Sequence, residues 1–350
     1  MMESIREIPF RIEKIIAEFE IIYHDIILYL NNFQFKPEEI VFIASGTSFN
    51  AAFAIKKFVE NHLNIRVTLR YPNDFTNDDI INKHAVYIFI SQSGRTAVLN
   101  EKLEFIKKRG LINISITADA ESAVALNSDL HIDMRAGFEK HVFRTKGYSC
   151  SVVTCICAAI SIARFTDRID DKLLKKYIED LKTLPVSIAH IIDCSEDWVK
   201  SNILLIEGKK CVLFSGEGTL WAAAQEAAIK FMEMIPIISN SYEIEELIHG
   251  PQNAFDHEML FILLYNKFKN SDRIIKVYEF INKEIGDCIL LGNKPLSSKD
   301  LLVNFKSEYF YFLEMVTVCQ VLAYYFAIHR GRDLTKRINY VIDQYISKSI

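Results

Sequence analysis

The chain reads as an α/β protein made of two related halves, each a mainly parallel open sheet flanked by helices. Two features say so. Short strands alternate with helices of a dozen or so residues, and those strands are apolar on successive residues, as strands covered on both faces are. The order of strand, glycine turn and alanine-rich helix also occurs twice, at EEIVFIASGTSFNAAFAIKKF and at KKCVLFSGEGTLWAAAQEAAIKF.

Residues 1–34 repeat their apolar positions at helical spacing and are expected as a helical segment ahead of the first domain, which is placed at residues 35–185. There IVFIA leads into Ser45-Gly46-Thr47-Ser48, AVYIFI into Ser91-Gln92-Ser93-Gly94-Arg95-Thr96, and LINISIT into Ala118-Asp119-Ala120. An apolar helix is expected from Ser149 to Phe165, then a charged one from Arg168 to Lys182, stopped ahead of Pro185. The polar stretch around Asp193–Asp197 reads either as a boundary region or as helix, and the second domain is placed at residues 196–350. In it Ser215 is aligned with Ser45, MLFILLYN with VYIFISQS, and IGDCILLGNK with GLINISITAD. Tyr265-Asn266-Lys267 then stands where the first half has Ser91-Gln92-Ser93, so the halves are expected to differ in ligand contacts.

Charge is nearly balanced, with 41 Lys and Arg against 45 Asp and Glu and no polybasic stripe, which argues against nucleic acid as a partner. The N-terminus carries acids early and lacks the apolar core of a signal peptide. The apolar run Val152–Ile162 is short for a membrane span and reads as buried helix, so no membrane partner is expected. The seven cysteines are scattered in apolar segments and complete no metal shell. Reduced, structural cysteines, a cytoplasmic location and no metal are the expectations.

Ser45–Ser48 and Ser91–Thr96 each lie between a strand and a helix. A helix start offers backbone N–H groups and the positive end of its dipole, and short hydroxyl side chains add donors without filling space. Two such turns at the carboxyl ends of neighbouring parallel strands face one crevice and suit a phosphate; the plainer reading is that each hydroxyl caps its own helix. Neither turn is a nucleotide motif: a full GxGxxG, a GxxxxGK[ST] and a G-x-S-x-G elbow are all missing. In the second half, Glu226, Lys230 and Glu233 fall on one helix face, as a surface ion-pair ladder or as a functional set. His249-Gly250-Pro251 places a titratable group in a loop, and Arg332 and Lys336 are basic groups near the C-terminus.

Together SGTSFNAA, SQSGRTA, EKHVFRTKGYS, QEAAIKFMEM and EELIHGP resemble the sugar isomerase (SIS) family, in the double-domain arrangement of the isomerase half of glucosamine-fructose-6-phosphate aminotransferase. The likeness runs from about residue 35 onward and is nearest to deglycases of fructosamine or fructoselysine 6-phosphates. It implies phosphate binding by Thr47, Ser48, Ser91, Gln92, Ser93 and Thr96. It also implies proton transfer by Glu233 beside Glu226 and Lys230, ring opening by His249 supplied across a homodimer with shared active sites, and substrate contact by Lys336. The stretch from Gly137 to Lys146 matches a family motif that places Val142 near the sugar.

Arg144 departs from that motif, where the aminotransferases have a small hydroxyl residue; its guanidinium suits either an amino-acid carboxylate on the substrate or a structural ion pair. Residues 1–35 cannot form a glutaminase domain and no cysteine precedes Cys150, so glutamine-dependent amine transfer is not expected. The implied activity is cofactor-free cleavage of a fructosamine 6-phosphate to glucose 6-phosphate and free amine by enolisation. Phosphosugar isomerisation or amino-sugar-phosphate deamination uses the same enolisation and stays open, as does a non-catalytic sugar-phosphate sensor.

Overall fold

The computed structural model describes residues 1–76, 81–139, 141 and 143–346. Ten strands form two five-stranded sheets. The first contains β1 (Glu39–Ala44), β2 (Arg66–Arg70), β3 (Ala85–Ile90), β4 (Asn113–Thr117) and β5 (Leu130–Asp133). The second contains β6 (Cys211–Gly216), β7 (Ile238–Glu243), β8 (Met259–Tyr265), β9 (Cys288–Gly292) and β10 (Leu301–Leu302). Every pairing is parallel. The order is β2-β1-β3-β4-β5 in one sheet and, read from its other edge, β7-β6-β8-β9-β10 in the other. These are one topology used twice, the doubly wound order whose ligand crevice opens where the chain reverses direction, between the first and third strands.

By contacts the chain divides into two units. One takes Phe10–Lys140, Lys146–Lys182 and Arg337–Ile350 and holds the first sheet; the other takes Met1–Pro9, His141–Thr145 and Thr183–Lys336 and holds the second. The residues of β1 and β3 are all buried, which explains their uninterrupted apolar runs. On one face of the first sheet, Val41, Ile43, Tyr87 and Phe89 pack with Leu99, Leu103 and Ile106 of the Ala97–Lys107 helix. The second sheet repeats this with Leu213, Phe261 and Leu263 against Ile274, Val277 and Ile281 of the Arg273–Glu284 helix. Each such side chain is worth about 1.5–3 kcal/mol when fully buried, so packing fixes the sheets and leaves the strand-end turns free to carry polar chemistry.

The opposite faces take the longest helices. Lys146–Phe165 packs on the Thr47–His62 helix, and Tyr311–His329 packs on the Thr219–Met234 helix. Both long helices are apolar and long enough to cross a membrane, yet 89% and 83% of their apolar windows are buried within the protein. Five cysteines are buried, and burial pushes the Cys157 thiol up to about 12.

Two details of the sequence reading are refined. The charged helix ends at Leu181, ahead of Pro185 as expected; Pro185 itself sits in the first turn of the next helix, Leu184–Ser201, where its missing N–H costs nothing, and of the two readings of Asp193–Asp197 the helical one holds. The repeat is also offset by two residues from the alignment made on Ser45 and Ser215. Strand β6 continues through Gly216, so Gly218 is the counterpart of Gly46 and Glu217 that of Ser45. Gly46 has φ 57° and ψ −134°, Gly218 has φ 66° and ψ −126°, and each opens a helix of 16 residues.

Candidate functional site

In the first unit, the turns after β1 and β3 lie side by side because those strands pair directly, in register from Glu39 with Ala85 to Ala44 with Ile90. This is the reversal point of the sheet. Thr47 and Ser48 are half-buried in the first turn of the Thr47–His62 helix. That helix and the Ala97–Lys107 helix begin at Gly46 and Thr96, and neither N-cap residue caps its helix through a side chain. The Thr96 hydroxyl therefore does not cap its own helix, and the helix starts keep their anion-attracting character.

The β3 turn is internally braced. Ser91 is 6% exposed; its Oγ accepts from the Gly94 N–H at 3.1 Å and lies 3.1 Å from Thr96 Oγ1. Gly94 has φ +62°, and a Cβ there would sit 1.9 Å from Ser122 Oγ, so only glycine fits. Ser93 is exposed, with its Oγ near the Arg95 N–H at 3.4 Å, and Arg95 reaches Asp119 at 3.3 Å. Gln92 is half-buried, and its Nε2 donates to Glu139 Oε2 at 3.1 Å. The structure thus gathers Thr47, Ser48, Ser91, Gln92, Ser93 and Thr96 at neighbouring strand ends.

In the second unit, the Thr219–Met234 helix is lined with buried alanines, which lets it lie close to Tyr311–His329 while Phe231 meets Phe214 and Phe326 edge-on at 4.8 and 6.0 Å. Spacing of four and three puts Glu226, Lys230 and Glu233 in one row. The row is no surface ladder: Glu226 is 0% exposed and Lys230 1%, while Glu233 is 38% exposed. Lys230 Nζ lies 2.5 Å from Glu233 Oε2 and 3.5 Å from Glu226 Oε1. Removing charges from water is costly unless they are paired, so a buried ammonium shared by two carboxylates needs a reason beyond stability. The arrangement presents one accessible carboxylate held by a buried cation.

The remaining residues have neighbours of their own. His249 is exposed and its Nε2 lies 3.1 Å from Glu245 Oε1, with Arg273 on the other oxygen of that carboxylate. It follows β7 at the carboxyl edge of the sheet, whereas Glu233 lies near the far end of a 16-residue helix that starts at that edge and runs back along the sheet for about 24 Å. One copy of the chain therefore keeps these two residues at opposite edges. Lys336 is exposed and pairs with Asp333 at 3.2 Å; two hydrogen bonds from Thr335, then Lys336 itself, hold the Asp333 carboxyl down at about 2. Arg144 is half-buried, with Nη1 3.5 Å from the His141 carbonyl oxygen. Val142 lies outside the described residues. Among the described residues no three His, Cys, Asp or Glu side chains converge as metal ligands. Glu139, part of the Gly137–Lys146 motif but given no role there, lies 47 positions from Gln92, and no local pattern announces that contact.

Residues 35–163 match the SIS domain family. The chain is 26% identical over 314 residues to the glutamine–fructose-6-phosphate aminotransferase (isomerizing) of Buchnera aphidicola, covering 87% of this chain and 51% of that protein. The chain thus spans about half the length of the curated relatives it matches. In fold it is similar to the C-terminal domain of glucosamine-fructose-6-phosphate aminotransferase from Francisella tularensis, with a TM-score of 0.85, 20% identity, and 96% and 98% of the two chains covered. It is also similar to glucosamine-6-phosphate deaminase from Thermotoga maritima, with a TM-score of 0.72, 19% identity, and 94% and 98% covered.

Proposed function

We propose that this SIS-domain protein, homologous to the isomerase domain of glucosamine-fructose-6-phosphate aminotransferase and to related phosphosugar isomerases, is an enzyme that moves a proton between C1 and C2 of a 6-phosphorylated sugar. The observation that carries this reading is the half-exposed Glu233 carboxylate held by the buried Lys230. Phosphate is held by the backbone and hydroxyl donors of Thr47, Ser48, Ser91, Gln92, Ser93 and Thr96. Binding at that end positions the carbon chain. Glu233 takes the C1 proton of the open-chain ketose, an enediol forms, and Glu233 returns the proton at C2, so atoms balance without a redox partner. Lys230 offsets the charge on the carboxylate, with Glu226 behind it, and Lys336 offsets charge at the carbonyl oxygen.

His249 opens the sugar ring. Because it stands at the opposite edge of the sheet from Glu233, it is supplied by a second copy of the chain, which makes the working form a homodimer. The relatives whose names specify isomerisation and deamination favour these two outcomes of the enolisation over cleavage of an amino-acid adduct. Arg144 contacts a carbonyl of its own loop, which gives no support to an adduct carboxylate.

Incubation in heavy water with fructose 6-phosphate, glucosamine 6-phosphate and fructosyl-amino-acid 6-phosphates tests the reading by NMR and mass spectrometry. The expected result is deuterium at C1 or C2 of a hexose 6-phosphate, with isomer or ammonia as product. Release of glucose 6-phosphate from the fructosyl adducts alone would instead establish the deglycase. Tight binding with no exchange in any case would leave a sensor and remove the enzyme.

A further inference from the structure

Glu139 is 5% exposed, and its carboxylate does two things at once. Oε2 accepts from Gln92 Nε2 at 3.1 Å and from the Gly147 N–H at 3.3 Å, in the first turn of the 20-residue Lys146–Phe165 helix. The helix start stabilises the buried charge. The main chain of Gln92 is fixed as well, since its carbonyl accepts from the Ala118 N–H at 3.0 Å. Its side chain lies so close to Gly147 that a Cβ there would fall 2.0 Å from Gln92 Oε1. Backbone, carboxylate and glycine together leave Gln92 one position.

We infer that Glu139 is a positioning residue that fixes which way round the Gln92 amide stands in the phosphate-binding turn. This rests on the phosphate role proposed above for that turn. The chemistry is one-sided: a carboxylate can only accept, so it pairs with Nε2 and never with Oε1. An amide has two N–H donors, and with one committed to Glu139 the other is available to an anion while the carbonyl oxygen is turned away from it. A glutamine at position 139 both donates and accepts, so it permits either orientation of Gln92, one of which presents an oxygen to phosphate.

The inference makes an effect with an unintuitive sign. Glu139→Gln removes a negative charge near an anion site, and Coulomb attraction alone then predicts tighter phosphate binding. Positioning predicts weaker binding. Titration of fructose 6-phosphate and of inorganic phosphate into the full chain decides, with circular dichroism melting curves to verify folding. Expected is a Kd raised about five- to tenfold by Glu139→Gln, appearing in KM more than in kcat. Gly147→Ala, which displaces Gln92 while leaving the carboxylate in place, should match it. In a Gln92→Ala background Glu139→Gln should add nothing further. Unchanged or tighter binding by Glu139→Gln, or an undiminished loss in the Gln92→Ala background, overturns the positioning role. If Glu139→Gln does not fold, Gly147→Ala with and without Gln92→Ala decides alone, and unaltered affinity there overturns it too. Failure of the unaltered protein to bind either anion would end the phosphate reading itself, and this inference with it.

Discussion

Two crevices of one topology sit at the strand reversal points of the two sheets, and they are furnished for opposite purposes. Between β1 and β3 the chain supplies Ser45, Thr47, Ser48 and the Ser91–Thr96 turn, mostly small neutral donors around two helix starts, with Arg95 turned to Asp119. Between β6 and β8 the same backbone carries Glu217 in place of Ser45 and Asn266 in place of Gln92. The Glu217 carboxylate accepts from the Ser271 N–H at 2.8 Å and the Ser271 hydroxyl at 3.0 Å, and Asn270 donates to the Glu217 carbonyl at 3.2 Å. An anion is thus already built into the second crevice, where its charge repels a phosphate. In the function proposed above, the second half instead carries its chemistry at the far end of the Thr219–Met234 helix.

The comparison can be broken in the second half most forcefully. Lys230→Met takes the cation from between two carboxylates and leaves the buried Glu226 without it, so urea unfolding should show a loss of about 3–5 kcal/mol. A loss below 1 kcal/mol would mean the row is an ordinary solvated ladder. In the first half, replacing Ser91 and Ser93 together by Ala should weaken fructose 6-phosphate binding about 10- to 100-fold in calorimetric titration, with no comparable change in melting temperature. Unchanged affinity would remove the β3 turn from the phosphate site. The smallest effect sharpens the contrast: Glu217→Ser should leave turnover and sugar-phosphate affinity within about twofold, because that crevice is not used. A tenfold change in either would show that the second crevice takes part after all.

Much of this was legible in the residues. Continuous apolar runs in β1, β3, β8 and β9 follow from burial on both faces, and the repeated strand–glycine–helix order announced the duplication. The register was harder. Ser215-Gly216 imitates Ser45-Gly46, but Phe214 and Ser215 are still inside a strand, and the glycine that matters has a positive φ that no pattern displays. Spacing aligned Glu226, Lys230 and Glu233, yet could not say that the first two are buried, because their helix is covered by Tyr311–His329, which begins more than eighty residues beyond them. Pro185 was legible as the limit of the charged helix, which ends at Leu181, but not as the start of the next one, because the missing N–H that ends a helix is harmless in a first turn. Glu139 stood in the matched Gly137–Lys146 motif, but its contact with Gln92 was not legible because that partner is distant in the chain.

The division of labour between the halves is tested most directly by Glu233→Gln, an exchange that keeps shape and removes the proton-accepting carboxylate. Calorimetry and deuterium exchange on the same preparation should show fructose 6-phosphate bound within about twofold of the unaltered protein, and proton exchange slowed by about 10²–10⁴. Full exchange, or loss of binding together with exchange, would contradict it.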